Sequence, residues 1–374
     1  MKMVLILFLV LHGLIHLMGF LKAWHLAALP QLSGRLLIPL SEPGVRVVGA
    51  LWLLAGTSFL VAALLRLARP EWWWAAALCG AVLSQVLIFL QWQDAWAGSL
   101  ANGLLIVTAL SALATERFEH QSRGLALDLL HHGKMDTNLV SAAQVATLPA
   151  PVQRWLRGAG VIGRARVSTI RLKQRGLLRA APTGAWMPVA AEQYFTVDEP
   201  AFLWSARVTM AGVLPLVGRD RYQRGAGHML IKAVGLYAVA DAGGDKINQG
   251  SLLRYLGETV WFPSAALSPA ITWAALDESR ARATLRHGGR SVSADFTFDE
   301  RGRFTRLSAE RYLGGGEDAQ LERWEITASQ WRTFEGVEVP AAGEVVWRLA
   351  GGDFPCYRWE LTDLAYDRPG LYPR

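Results

Sequence analysis

The amino-acid sequence predicts an α-helical membrane bundle of four transmembrane helices followed by a mainly antiparallel β domain, a curved sheet or half-barrel wrapped around one helix. Two observations lead to this prediction. Residues 1–115 contain six Lys or Arg and three Asp or Glu, whereas the remaining 259 residues contain 32 and 28. Beyond about residue 160, apolar and polar residues alternate in short runs separated by turn residues, as is typical of half-buried strands.

The composition of the chain limits its class. It is 52% hydrophobic and 18% charged, compared with about a quarter charged in an average soluble domain. This argues against an ordinary cytosolic enzyme and excludes disordered, collagen-like and disulfide-stapled proteins. We expect a transmembrane domain at 1–115, a polar connector at 116–147 and a β-rich domain at 148–374. Cys79 and Cys356 fall in different segments, so no internal disulfide is predicted.

Four stretches carry no Asp, Glu, Lys or Arg, and each is long enough for a helix to cross a hydrocarbon core of about 30 Å. These stretches are 3–21, 47–65, 72–93 and 95–115. The first resembles a signal peptide because Lys2 precedes an apolar core. No convincing small-residue cleavage site follows it, so we expect an uncleaved anchor.

The cations beside these stretches predict a multi-pass protein of the cell membrane with both termini inside. In that orientation six Lys or Arg lie on the inner side, and only Lys22, Arg35 and Arg46 lie on the outer side. Inner loops of membrane proteins carry the excess of Lys and Arg. The β domain is therefore expected in the cytoplasm.

Polar residues inside the predicted spans are His12, His16, Gln85 and Asn102. The two histidines are four residues apart, on one face of a helix, and Gln85 and Asn102 lie at a depth similar to that of His16. One hypothesis is a polar site for a metal, quinone or haem. The other is interhelical hydrogen bonding that fixes the bundle. The second is favoured because no third strong metal ligand lies at that depth.

The β-rich domain shows eleven alternating runs and two helical ones. The predicted helices cover 152–158 and about 249–259. The predicted strands cover 165–174, 192–197, 202–210, 228–234, 271–276, 281–287, 292–298, 304–312, 324–331, 344–349 and 357–365. Short gaps between successive strands favour an antiparallel meander.

Six segments of this domain carry a family resemblance. They start at Leu148 (LPAPVQRWL), Gln174 (QRGLLR), Trp186 (WMPVAAEQYF), Phe202 (FLW), Asp220 (DRYQRGAGHM) and Arg254 (RYLGETVWFPSAAL). They resemble an uncharacterised bacterial family whose members join an N-terminal membrane region to a β-rich domain of unknown function. The order of elements over 296–347 is also similar to that of lipoprotein-carrier half-barrels, which bind acyl chains between a curved sheet and helices. This second likeness concerns the fold only.

Familiar catalytic signatures are absent from the sequence, and no catalytic residue, metal or cofactor is predicted. Arg254 and Glu258 are four residues apart on the second predicted helix and are expected to form an ion pair. Together with Trp261, Phe262 and Trp204 they are candidates for a pocket that binds a polar head above an apolar chain. The alternatives are a purely structural helix and turn, and a catalytic role that would need partners from distant strands.

A basic run lies at the start of the β domain, with eight Arg or Lys and no Asp or Glu between residues 151 and 191. Arg171, Lys173, Arg175 and Arg179 are the candidates for contact with anionic lipid. A solvated strand face is the alternative, and no motif for binding nucleic acid accompanies the charge.

The function predicted first is a membrane-anchored protein that binds a lipid or other amphipathic ligand in its β domain. An enzyme acting on a membrane-embedded substrate is the second possibility. A redox or quinone-linked module built on His12 and His16 is the third.

Overall fold

The computed structural model describes residues 2–133, 137–368 and 370–373. They form two compact units. The first runs to Arg117 and includes Val234–Leu236, and the second contains Phe118–Ala233 and the chain from Tyr237 onward.

The first unit is helical. Its helices are α1 (Lys2–Ala23), α2 (Glu42–Ala68), α3 (Trp73–Leu90), the short α4 (Trp92–Ala95) and the first part of α5 (Gly98–His131). Within the described residues, α1, α2, α3 and α5 are long and apolar enough to cross a membrane, by length and composition. The four predicted stretches thus correspond to four helices.

Two glycines allow α1 and α2 to pack closely. A Cβ added at Gly13 would lie 2.9 Å from the carbonyl oxygen of Gly56, and one added at Gly56 would lie 2.8 Å from that of Gly13. Small residues at such a crossing let the two backbones approach and gain van der Waals contact.

Helix α5 does not end where the fourth apolar stretch ends. Residues 116–131, predicted as part of a polar connector, continue it. Ala126, Leu129 and Leu130 recur at helical spacing and pack in one cluster with Tyr194 and Leu203 of the second unit. Burial of this apolar face stabilises the helix beyond residue 115, although the opposite face of the helix is polar.

In the described residues, the second unit contains three more α-helices, two short 3₁₀ helices (Thr259–Trp261 and Pro263–Leu267) and a sheet. The α-helices are α6 (Ala142–Ala146), α7 (Ala150–Gly158) and α8 (Asp245–Glu258). The strands are β1 (Thr169–Leu178), β2 (Met187–Thr196), β3 (Ala201–Met210), β4 (Leu214–Gln223), β5 (Ala226–Ala233), β6 (Tyr237–Ala242), β7 (Ile271–Ala275), β8 (Arg280–His287), β9 (Arg290–Phe298), β10 (Phe304–Tyr312), β11 (Leu321–Phe334), β12 (Val337–Leu349) and β13 (Gly352–Tyr366).

The 13 strands of the described residues form one antiparallel sheet in the order β6-β5-β4-β3-β2-β1-β13-β12-β11-β10-β9-β8-β7. Helix α8 contacts β4 and β5 near one edge and β8, β9 and β10 near the other. The sheet therefore curves around this helix, and the predicted antiparallel half-barrel wrapped around one helix is confirmed.

All eleven predicted strands have counterparts, while β4 and β6 were not predicted. The sequence of β4, LPLVGRDRYQ, carries Pro215, Gly218 and three charged residues, so its alternation is weak. It forms a strand because β3 and β5 pair with it along both edges. Tertiary pairing here overrides a poor local preference.

Two turns that are distant in strand order meet and help to close the half-barrel. Gly225, between β4 and β5, contacts Gly288, between β8 and β9, and a Cβ on Gly288 would lie 2.5 Å from the Cα of Gly225. Both glycines have positive φ, 78° and 58°. Beside them the hydroxyl of Tyr222 and Nδ1 of His287 are 2.8 Å apart, which ties β4 to the end of β8.

Candidate ligand site on the inner face of the sheet

Strand pairing arranges the inner side chains of β1–β4 in rows that run across the strands. The row beneath α8 contains Ile170, Phe195, Phe202 and Tyr222, which are adjacent through the pairing of β1 to β2, β2 to β3 and β3 to β4. All four are almost completely buried in the main core. Because side chains alternate between the two faces of a strand, every second residue continues this inner face.

The next row is polar. Gln193 of β2 pairs with Trp204 of β3, and Trp204 pairs with Asp220 of β4. Gln193 is fully buried and Asp220 is 3% exposed. A polar row on the inner face of a sheet is costly unless its groups are hydrogen-bonded. The burial of this row therefore has to be explained by its hydrogen-bond partners.

Beyond the polar row, the inner face carries first a row of small residues and then a row of larger apolar residues. Ala191, Ala206 and Gly218 form the following row, and Val189, Val208 and Leu216 form the one after it. All members of these two rows except Gly218 form a buried cluster together with Met187. This cluster is separate from the main core, and Leu178, Trp204 and Tyr357 pack against it.

Arg254 of α8 supplies the charge that the polar row needs. Its Nη1 donates to Oδ2 of Asp220 at 2.7 Å, and its Nε donates to Oε1 of Glu258 at 2.8 Å. Nε2 of Gln193 donates to the other oxygen of Glu258 at 2.7 Å. The guanidinium also lies 5.3 Å from the ring of Trp204. The predicted ion pair between Arg254 and Glu258 is therefore present, inside a larger cluster.

The protonation of this cluster is set by burial and by its own charges. Burial raises the pKa of Glu258, while the neighbouring Arg254 acts in the opposite direction. For Arg254, burial alone would lower the pKa, but Glu258 and Asp220 together raise it. Arg254 consequently keeps its positive charge.

Several atoms of the polar row still lack a partner. Nε1 of Trp204, Oε1 of Gln193 and Oδ1 of Asp220 are buried and make no hydrogen bond to any described residue. They offer one donor and two acceptors, whereas most buried polar atoms in proteins have a hydrogen-bond partner. A bound polar group or ordered water is the usual partner of such atoms.

The β domain carries a family signature. The model of a family of unknown function, DUF6544, matches residues 138–359. The chain belongs to this family. The DUF6544 match contains all of the rows and the charge cluster around Arg254, whereas the helices of the first unit lie outside it.

No curated protein is significantly similar to the chain. Two solved structures show a low-scoring likeness. A domain named as an outer membrane lipoprotein-sorting protein domain from Vibrio parahaemolyticus is 8% identical over 55% of this chain and 87% of its own, with a TM-score of 0.31. A DUF1329 family protein from Desulfovibrio piger is 11% identical over 63% of this chain and 96% of its own, with a TM-score of 0.30.

Of the predicted pocket residues, Trp204, Arg254 and Glu258 lie together, whereas Trp261 and Phe262 lie in the core. Trp261 is 5% exposed and Phe262 is fully buried. Nε1 of Trp261 donates to the carbonyl oxygen of Pro340 at 3.2 Å, and the ring of Phe262 is 5.0 Å from that of Phe195. Both side chains are buried in this structure, and a direct role in binding stays a prediction.

The four basic candidates all have partners within the chain. Lys173 pairs with Glu192 at 3.6 Å, and Arg175 pairs with Glu360 at 2.7 Å. Arg171 donates to the carbonyl oxygen of Gly370 and lies over the ring of Tyr372. Arg179 donates to the carbonyl oxygen of Pro355 and lies over Trp186. These contacts account for the basic run as part of the sheet surface, and its contact with anionic lipid remains a prediction.

The four polar residues predicted inside the spans, His12, His16, Gln85 and Asn102, form one network with Ser84. Nε2 of His12 donates to Oδ1 of Asn102 at 3.0 Å, and Nδ2 of Asn102 donates to Ser84 and Gln85 at 3.0 and 3.2 Å. Nδ1 of His16 donates to the carbonyl oxygen of His12, so its Nε2 accepts from the Ser84 hydroxyl at 2.8 Å. Ligation of a metal or haem by either Nε2 would break one of these bonds, which favours the interpretation as interhelical hydrogen bonding.

A separate groove of the β domain lies elsewhere. It has a volume of about 720 Å³ and is lined by the ion pairs Arg175–Glu360 and Arg358–Glu344. Its charged groups are already paired and exposed, so we do not assign the ligand site to it. No group of three or more His, Cys, Asp or Glu with metal-site geometry occurs in the part of the chain that the structure describes.

The patterns in the sequence do not indicate the roles of Gln193 and Asp220. Asp220 belongs to the unpredicted strand β4, although it alternates there with Leu216, Gly218 and Tyr222. Gln193 was placed in a predicted strand, but nothing in that strand indicates the partner on α8. Both roles depend on the register between strands, which a single sequence does not reveal.

Arg254→Met tests the buried charge cluster. Removing the cation leaves two buried carboxylates without their partner and should lower the free energy of unfolding by about 3–5 kcal/mol. Without Arg254 the pKa of Glu258 in the folded state should rise further above its unfolded value. Such a group stabilises the fold below its unfolded pKa and loses this contribution as pH rises, so the deficit should be larger at pH 8 than at pH 5. Thermal unfolding of the full chain across this range measures it.

Arg175→Met is the matched control, because it removes the same side chain from an exposed ion pair with Glu360. The thermal midpoint of this variant should stay close to that of the wild type. Equal losses in the two variants would show that the Arg254 cluster has no special role.

Asn102→Leu tests the helical network. The change removes hydrogen bonds to His12, Ser84 and Gln85, and interhelical bonds of this kind contribute from about 0.6 to 2 kcal/mol each. We expect a lower midpoint for unfolding by sodium dodecyl sulfate of the purified chain. Thr108→Val is the control, since that hydroxyl donates to the carbonyl oxygen of Leu104 in its own helix. If Asn102→Leu is as stable as Thr108→Val, the hydrogen bonds of Asn102 do not stabilise the helical bundle.

Proposed function

We propose that this chain is a membrane-anchored protein whose β domain binds a lipid or other amphipathic ligand on the inner face of the sheet. The observation that carries the proposal is the order of the rows. A polar row with unpartnered buried atoms lies directly beside small and apolar rows on the same face. An amphipathic molecule presents the same sequence of surfaces, a polar head followed by an apolar chain.

The middle row of the apolar part of the site is made of small residues, Ala191, Ala206 and Gly218. A Cβ built on Gly218 would find its nearest neighbours, atoms of Trp204 and Ile231, at 3.7 and 3.8 Å. These are ordinary van der Waals contact distances, so a Cβ at position 218 would not clash with its neighbours. Each methylene that leaves water for such a surface contributes about 0.8 kcal/mol. A short acyl segment would therefore bind with useful affinity.

The polar part of the site is suited to holding a head group. Both carboxylates are engaged by Arg254, which fixes their positions. The unpartnered N–H of Trp204 and the unpartnered oxygens of Gln193 and Asp220 border the small row. A head group that accepts from Trp204 would satisfy that donor, ordered water can donate to the two oxygens, and the apolar rows would orient the chain away from the charges.

The helical unit supports the anchoring part of the proposal. Four of its helices have the length and composition to cross a membrane, and six of the nine adjoining cations lie on the side of the N-terminus. By the positive-inside rule the β domain faces the cytoplasm, where it meets the inner leaflet as a source of ligand.

Gly218→Val tests the ligand site. The space around this glycine accepts a Cβ, and valine suits a strand, so the fold should be kept while the methyl groups fill the small row. We expect at least tenfold weaker binding of dansyl-undecanoic acid to the full chain in amphipol, followed by dansyl fluorescence.

Gly351→Val provides the control for this substitution. A Cβ at Gly351 meets nothing within 4 Å, and its turn joins β12 to β13, away from the rows. Binding should be unchanged in this variant. If the two variants bind the probe as tightly as the wild type, the inner face is not the site.

A fusion at the C-terminus tests the orientation. A fluorescent reporter that folds only in the cytoplasm should be active when it follows the last residue, because the cation count places both termini inside. Strong activity of a periplasmic phosphatase fused at the same place would reverse the orientation and give the β domain a different source of ligand.

A further inference from the structure

Arg311 is the buried cation of the inner face that the charge cluster does not neutralise. It lies near the end of β10, where its Nε is 3.2 Å from the position of a Cβ built on Gly250 of α8. Within residues 2–133, 137–368 and 370–373 it makes no hydrogen bond and no ion pair, and its Nε is buried. The residue as a whole is partly exposed, so the remaining nitrogens can be reached from outside.

The unpaired state of Arg311 is not explained by a lack of acidic neighbours. Glu322 is its cross-strand partner in β11, yet the guanidinium lies over tryptophan rings instead, 4.7 Å from the centre of Trp324 and 5.7 Å from that of Trp347. Stacking on aromatic faces holds a guanidinium in one orientation and leaves its N–H groups available in the plane. In this geometry the guanidinium is held as a hydrogen-bond donor and does not form a salt bridge with Glu322.

A second donor accompanies it. Nε1 of Trp324 is buried and has no partner among the described side chains and backbone groups. Two N–H donors on side chains in direct contact, one of them on a cation, lack acceptors. A buried polar group of this kind destabilises a fold unless it is satisfied. Their combined chemistry is that of a site for an anion with several acceptor oxygens.

Arg311 shares the electrostatic environment of the charge cluster. Burial lowers the pKa of Arg311, the charges of Asp220 and Glu258 raise it, and the charge of Arg254 lowers it. The two carboxylates are already taken by Arg254 at 2.7 and 2.8 Å. Arg254 is thus neutralised from within the chain, whereas Arg311 has no acidic partner among the described residues.

We propose that Arg311, with the N–H of Trp324, binds the anionic head, a carboxylate or a phosphate, of an amphipathic ligand whose chain lies on the apolar rows. This inference rests on the proposed function and assigns its ligand class. The planar guanidinium can bind two oxygens of such a head at once. The oxygens would also accept the unpartnered Trp324 donor, which a neutral ester could do only in part.

The test compares probes that share one chain and differ in the head. Binding of dansyl-undecanoic acid and of its methyl ester to the full chain in amphipol is measured by dansyl fluorescence, with dodecyl phosphate, sodium acetate and inorganic phosphate as competitors. We expect the acid to bind at least tenfold more tightly than the ester. Dodecyl phosphate should compete, whereas acetate and inorganic phosphate at the same concentration should not, because they have no chain.

Arg311→Gln should remove most of the preference for the acid and leave binding of the ester nearly unchanged. Arg306→Gln is the matched control, since Arg306 is an exposed arginine of the same strand, and it should keep the preference. The comparison of acid with ester on the wild type needs no variant and holds even if Arg311→Gln fails to fold.

Each outcome separates the inference from the proposed function. Equal binding of acid and ester by the wild type, or an unchanged preference in folded Arg311→Gln, would overturn the assignment of an anionic head while leaving a lipid site in place. Competition by inorganic phosphate as strong as that by dodecyl phosphate would overturn the assignment of an amphiphile and indicate a site for small anions. Binding of neither probe would overturn the proposed function itself.

Discussion

The inner face of the β domain depends on the buried pairing of Arg254 with Asp220 and Glu258. This cluster joins α8 to β4, and through Gln193 to β2, at distances of 2.7–2.8 Å. The charges of the cluster compensate one another only when the helix is docked on the sheet. In either part alone some of these charges would lack their partners. The docking also divides the inner face. Aromatic residues fill the space under α8, and the small and apolar rows continue along the strands beyond the charges. The candidate site is thus a consequence of how the helix is held.

The two arginines of the inner face show how context separates side chains of one type. Arg254 has two carboxylate partners and acts as part of the fold. Arg311 lies over Trp324 and Trp347 and has no such partner within the described residues. In a domain of marginal stability, an unsatisfied buried donor has to be offset by other contacts. A ligand that supplies the missing acceptors would recover that free energy on binding. In this account the head of the ligand meets the unpaired cation, and the chain of the ligand meets the apolar rows.

Much of the architecture follows from patterns that are local in the sequence. Long uncharged stretches indicate the four apolar helices, alternation indicates eleven of the strands, and helical spacing of Leu252, Leu253 and Leu256 indicates α8. The ion pair between Arg254 and Glu258 follows from their spacing along that helix. Strands β4 and β6, the continuation of α5 to His131, and the roles of Asp220, Gln193 and Arg311 do not follow. Each depends on a partner distant in the chain. Trp261 and Phe262 make the same point, since an aromatic pair after a helix suits both a pocket and a core, and only the packing decides between them.

Photo-crosslinking with a diazirine-bearing fatty acid in membranes that contain the full chain tests the central claim most directly. The carboxylate would lie at Arg311 and the chain along the rows of Ala206, Gly218, Val208 and Leu216. The account predicts that mass spectrometry of the digested protein finds label concentrated on β3 and β4 at these inner positions, and that unlabelled fatty acid competes for it. Label confined to the helices of the first unit, or spread over the outer face of the sheet without competition, would contradict it.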